Sequence, residues 1–128
     1  MSRVRSKLLN VFLIVLCYGL AVFRGKAKAR LTNPKRILLF RSKPSVGDMV
    51  YVTPLFRAIK KTYPDASIML VGGGRSREVV EHNPDINRLV SYANNFFGTL
   101  RIVRKFKPDF GCLANLGSVE GLALLYLS

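Results

Sequence analysis

The residues of this chain best suited to chemistry lie in one polar run, Arg41-Ser42-Lys43-Pro44-Ser45-Val46-Gly47-Asp48. It follows a short apolar stretch, Arg36–Phe40 (RILLF), and precedes a segment with helical periodicity. A loop between a buried strand and a helix is where an α/β sheet binds ligands, because helix N-termini there turn free backbone amides outward. Gly47 lets a ligand approach the backbone closely. Asp48 sets a carboxylate at the mouth of the sheet, with two roles open to it. As a first-turn residue it stabilises the helix dipole by roughly 0.3–1 kcal/mol. As a general base it takes a proton from an attacking hydroxyl.

Other chemistry-bearing residues offer less. Gly72-Gly73-Gly74 follows a strand, but neither G-x-G-x-x-G nor a Walker pattern accompanies it, so the glycines read as a turn and a nicotinamide-dinucleotide binder is disfavoured. Arg75 and Arg77 beyond that turn are candidates for contacting phosphates on an acceptor; the alternative is a solvated helix face. His82, the single histidine, sits beside Asn83-Pro84 as a helix-end residue, and one histidine with two cysteines makes a four-ligand zinc site improbable. Cys17 and Cys112 read as small apolar fillers in a reducing compartment. Phe96, Phe97 and Phe106 read as core, and Lys60-Lys61 as a solvated face.

The elements that must position Asp48 follow from the hydrophobic pattern. Arg36–Phe40 reads as a strand buried on both faces. Residues 48–63 carry Val52, Leu55, Phe56 and Ile59 on one helical side and Arg57, Lys60 and Lys61 on the other, with Thr53-Pro54 expected to open the regular helix as N-cap and first helical residue. Ser67–Val71, Arg88–Tyr92 and Phe110–Leu116 are the further strands, and Arg75–Glu81, Asn95–Lys107 and Val119–Leu127 the further helices. Such alternation predicts βαβ units and a parallel sheet, an α/β fold of Rossmann-like layout. A four-strand parallel sheet with a bare edge is a poor complete design, and the chain stops at Ser128 inside its last helix. The expectation is therefore the first part of a larger protein.

Charge separates the N-terminal segment from this body. The 128 residues contain 21 Lys and Arg against 7 Asp and Glu, a net charge of +14 that suggests nucleic acid at first sight. Residues 1–36, however, hold nine of the cations and no acid, while the remaining 92 residues carry twelve cations and seven acids, a net of +5. The excess belongs largely to an N-terminal segment in which residues 8–23 are almost wholly apolar between two basic flanks. As a helix that run reaches only about 24 Å against a hydrocarbon core of about 30 Å. A cleaved signal peptide or a spanning helix is the less favoured reading; a hydrophobic helix lying in the cytoplasmic leaflet, with Lys and Arg on anionic headgroups, fits best. Residues 1–30 thus read as a membrane-associating segment and 31–128 as the α/β domain.

A resemblance narrows the function. Ser45-Val46-Gly47-Asp48 after a strand, Thr53-Pro54, Tyr63-Pro64-Asp65-Ala66, the SIMLV strand, Asn83-Pro84 with Ile86, Lys107-Pro108-Asp109 and Leu116-Gly117-Ser118 together resemble the N-terminal half of glycosyltransferase family 9, which contains the bacterial lipopolysaccharide heptosyltransferases. The resemblance covers about residues 35–120. It implies the acceptor-side N-terminal domain of a GT-B enzyme whose second domain holds a nucleotide-sugar donor such as ADP-heptose. By the same resemblance Asp48 is the general base of an inverting transfer without metal or other cofactor, and Ser45 and Gly47 lie against the substrates. A lipopolysaccharide or other glycan is then the acceptor, and the cytoplasmic side of the inner membrane the location. Lys43-Pro44 departs from the small hydroxylated residues usual in that loop, and the apolar N-terminal segment is not a usual family feature. The reading from a different class is a non-catalytic basic α/β module for membrane surfaces or nucleic acid.

Overall fold

The computed structural model describes residues 7–8, 11–16, 19, 32–41, 45–74, 77–92, 95–114 and 119–128. The chain alternates strand and helix: β1 Arg36–Arg41, α1 Val46–Thr62, β2 Ser67–Gly72, α2 Arg77–Val80, β3 Arg88–Ser91, α3 Phe96–Phe106, β4 Phe110–Leu113 and α4 Val119–Leu127. The four strands form one parallel sheet in the order β3-β2-β1-β4. Of the predicted strand Phe110–Leu116, β4 covers Phe110–Leu113, and residues 115–116 lie outside the described residues.

β1 and β2 are central and each buries its four middle residues completely or nearly so. Side chains alternate across the sheet. Ile37, Leu39, Ile68 and Leu70 pack with Met49, Val52 and Phe56 of α1 and Val80 of α2. On the opposite face Leu38, Phe40, Met69, Val71 and Val90 pack with Phe96, Leu100 and Val103 of α3 and with Ala123 and Leu124 of α4. Leu13 is buried in this second cluster, on a helical stretch (residues 11–16) whose Val11, Phe12 and Val15 stay exposed. Among the described residues no helix is long and apolar enough to cross a membrane.

The first helix starts earlier than its proline predicts. Ser45, not Thr53, is the N-cap, and Pro54 lies inside the helix. Two features make this possible. Ser45 and Asp48 form a capping box, and the Thr53 hydroxyl donates to Val50 O at 2.7 Å, satisfying the carbonyl that Pro54 has no N–H to reach. The earlier start adds Met49 to the apolar stripe, whereas Leu55, expected inside, is 39% exposed. Lys60 also departs from expectation: its ammonium donates to Ala66 O at 2.5 Å, folding the stem back over the helix end.

Two sequence features that resemble family motifs turn out to hold the amino end of the sheet. Asp109 accepts from the backbone N–H groups of Lys35 (3.0 Å) and Arg36 (2.9 Å) and from the Arg36 guanidinium (3.2 Å). Asn83 accepts from the Asp85 N–H at 2.9 Å, closing the turn that presents Asn87, which bonds the Ile68 N–H through its side chain and Ile68 O through its own N–H.

Close packing leaves no room beside Gly121, where an added Cβ would meet the Phe40 ring and Leu113. Gly121→Ala is therefore expected to destabilise the domain by about 2 kcal/mol through overpacking, read as a lower urea midpoint. At Asp109 burial raises the carboxyl pKa, but the backbone bonds from Arg36 and Lys35 and the Arg36 charge outweigh it, so the net shift is downward. A depressed folded value means this stabilisation is present above the unfolded value of about 3.9 and is lost as pH falls through the folded one. Asp109→Asn is expected to cost about 1 kcal/mol at neutral pH, the site being partly solvated, and to cost progressively less below about pH 4 in urea titrations.

Candidate active site

After β3 the chain crosses back over β2 and β1 to place β4 on the far side of β1. The crevice outside the carboxyl ends of β1 and β4 is thus the switch point of the sheet, where open α/β folds bind ligands. Arg41 ends β1 and spans that crevice. Its Nη1 donates to Ala114 O, just past β4, at 2.6 Å, and its Nη2 lies 3.5 Å from Asp48 Oδ1. The guanidinium side chain is only 13% exposed, and its Nε is buried without a partner among the described residues.

Asp48 occupies the third position of α1. Its Oδ2 accepts from the Ser45 N–H at 3.2 Å while its own N–H donates to Ser45 Oγ at 3.2 Å. The hydrogen bonds from Ser45 hold its carboxyl below the ordinary carboxylate value; burial opposes them, and the Arg41 charge adds a smaller lowering effect. The carboxylate is still 52% exposed, so it is ionised, oriented and open on one side. The same group that caps the helix also faces solvent at the switch point. Gly47 is exposed in the first turn, with open space where a Cβ would stand.

The remaining candidates divide. Arg77 opens α2, beyond the carboxyl end of neighbouring β2, and is paired with Glu81 at 3.6 Å on an exposed helix face. Arg75 lies outside the described residues, as do residues 42–44 with Lys43-Pro44, Cys17, and residues 115–118. His82 is exposed in the turn after α2. Phe96 is buried and Phe106 half-buried as expected, but Phe97 is 67% exposed, because α3 turns successive residues by about 100° and only Phe96 falls on the apolar stripe. Among the described residues no three His, Cys, Asp or Glu side chains gather as a metal site.

Arg41 was the partner that sequence reading passed over. Its signal was present: a cation closing a buried strand, seven residues before a carboxylate at a helix start. A second missed pair has no local signal. The Tyr92 hydroxyl, just past β3, donates to Glu120 Oε2 in the first turn of α4 at 2.6 Å, and its ring meets Phe40 edge-on at 5.4 Å. Burial and then the Glu120 carboxylate push the phenol well above its ordinary value, so it stays protonated and acts as a tie between two elements.

Sequence comparison finds similarity to lipopolysaccharide heptosyltransferase 3 from Escherichia coli, 33% identical over 89 residues that make up 62% of this chain and 26% of that protein. A second protein of that name, from Escherichia coli strain K12, is 36% identical over 53 residues, 41% of this chain and 15% of its own length. Among solved structures, the glycosyl transferase family 9 protein from Veillonella parvula DSM 2008 superposes with a TM-score of 0.60 at 21% identity, over 73% of this chain and 29% of that one. The chain is thus similar in sequence to these heptosyltransferases and shares its fold with a family 9 glycosyl transferase. No protein-family profile matches it. The chain spans about a quarter of the length of the first of those curated proteins and less of the second.

The hydrogen-bond order at Asp48 predicts its titration. By carbon-detected NMR its carboxyl is expected to titrate below the usual carboxylate range, with Ser45→Ala moving it up more than Arg41→Gln does.

Proposed function

We propose that residues 31–128 are the acceptor-side, N-terminal Rossmann-like domain of an inverting GT-B glycosyltransferase. The enzyme transfers heptose or a related sugar from a nucleotide-sugar such as ADP-heptose to a lipopolysaccharide-type acceptor. The observation that carries this reading is the ionised, half-exposed Asp48 carboxylate held by Ser45 and Arg41 at the switch point of the sheet. Similarity to heptosyltransferases supports the sugar class.

In the proposed reaction the acceptor hydroxyl oxygen attacks the anomeric carbon as that carbon's bond to the diphosphate oxygen breaks. The electron pair of the broken bond leaves on ADP, and the hydroxyl proton passes to Asp48. A carboxylate of lowered pKa is a weak base, yet it suffices when the leaving group is good and the hydroxyl becomes acidic only as the new bond forms. Holding the carboxylate in one orientation supplies the rest, by proximity. Ser45 and Gly47 border the acceptor in this reading, Arg75 and Arg77 meet its phosphates, and no metal or other cofactor takes part. Residues 1–30 hold the protein on the cytoplasmic face of the inner membrane, through apolar side chains such as Val11, Phe12 and Val15.

The test is ADP release from ADP-heptose by the encoded protein in the presence of a lipopolysaccharide-core acceptor. Asp48→Asn is expected to lower kcat at least about 100-fold with a small change in KM, and EDTA to leave the rate unchanged. Ser45→Ala, which breaks half of the cap but keeps the carboxylate, is expected to lose less than about tenfold. Equal losses in both variants would reduce Asp48 to a capping residue.

A further inference from the structure

The outer face of α3 carries a feature that sugar transfer does not use. Phe97, Leu100, Arg101, Arg104, Lys105 and Lys107 line a shallow cleft of about 470 Å³ with an apolar floor and a basic rim. None of the seven acids of the chain lies in α3. Arg101, Lys105 and Lys107 make no ion pair among the described residues, whereas four other arginines do. Phe97 is 67% exposed at the edge of this rim. Arg104 donates to Leu127 O at 3.1 Å, so its charge too meets no acid among the described residues, and an exposed phenyl ring beside such a rim is complementary to an interface that offers anions above hydrocarbon.

A second observation fixes the orientation. Leu13 is buried in the same cluster as Leu100 and Val103 of α3, so the stretch 11–16 lies on the same side of the sheet as α3. Its exposed Val11, Phe12 and Val15 therefore share that side with Phe97 and the cationic rim. Apolar groups and cations on one side of the domain match the layered chemistry of a phospholipid surface; a nucleic acid offers phosphates but no hydrocarbon.

We infer that the α3 face is a docking surface for anionic phospholipid headgroups, with Arg101, Arg104, Lys105 and Lys107 on the phosphates and Phe97 in the interfacial layer. The inference deepens the membrane part of the function proposed above, because it puts a second contact on the folded domain and so sets its tilt on the bilayer. The Asp48 crevice lies at the carboxyl edge of the sheet, whereas α3 covers one of its faces, so the docked surface and the crevice are separate.

The experiment is co-sedimentation of the whole chain, wild type and Arg101→Gln/Lys105→Gln, with vesicles of phosphatidylcholine alone and of phosphatidylcholine with phosphatidylglycerol. Each surface cation contributes about a factor of five in affinity for an anionic leaflet, so the double variant is expected to bind the mixed vesicles about thirtyfold more weakly. Its circular dichroism and its binding to neutral vesicles are expected to match wild type, since both substituted side chains are exposed. Undiminished binding to the mixed vesicles overturns the inference. So does a loss confined to duplex DNA, which would make the face a nucleic-acid surface. Failure of the wild type on neutral vesicles alone counts against the N-terminal segment as an anchor and leaves the α3 contact, read from the mixed-vesicle difference, standing.

Discussion

Two adjacent parallel strands buried on both faces impose the rest of this architecture. β1 and β2 hide four consecutive side chains each, so both faces of the sheet must be covered, and their hydrogen bonds run only to neighbouring strands. Parallel pairing requires a crossover for every step, which consumes α1, α2 and α3. Covering the second face then calls for α3, α4 and Leu13 together, because α1 and α2 both fall on the first. The reversal of direction that brings β4 beside β1 follows from this, and it opens the crevice in which Arg41 and Asp48 meet.

The site shows how one small group serves fold and chemistry together. Ser45 and Asp48 satisfy free amides at the start of α1, and the earlier start they permit buries Met49 against the sheet. The same bonds keep the carboxylate ionised and pointed. Arg41 could not be so well buried without compensation; the Ala114 carbonyl just past β4 and the Asp48 carboxylate in the first turn of α1 supply it. The guanidinium therefore ties the last residue of β1 to the residue just past β4.

Much of this was legible in the residues. The runs RILLF and SIMLV announce central strands by being apolar without alternation, and Asn95 with Phe96, Leu100 and Val103 announces α3 by its spacing. Asp48 was visible because a carboxylate after glycine at a strand-to-helix loop has few purposes. What escaped depends on distance in sequence or on compensation. Pro54 reads as a helix start until the Thr53 hydroxyl is seen replacing its missing donor. Arg41 with Ala114, Asp109 with Arg36, and Tyr92 with Glu120 join residues 28 to 73 positions apart, and no local pattern encodes such pairs. Phe97 escaped because a Phe-Phe pair in a helix cannot point both rings inward.

The two aspartates that grip β1 make that strand a ruler. Asp109 holds Arg36 at its first residue and Asp48 meets Arg41 at its last, about 17 Å away along the chain. A slip of one residue would turn every side chain to the opposite face and would release both grips at once. Strand position is thus quantised, with intermediate settings excluded by the alternation of faces. The carboxylate at the crevice inherits that digital precision from an ion pair at the opposite edge of the sheet.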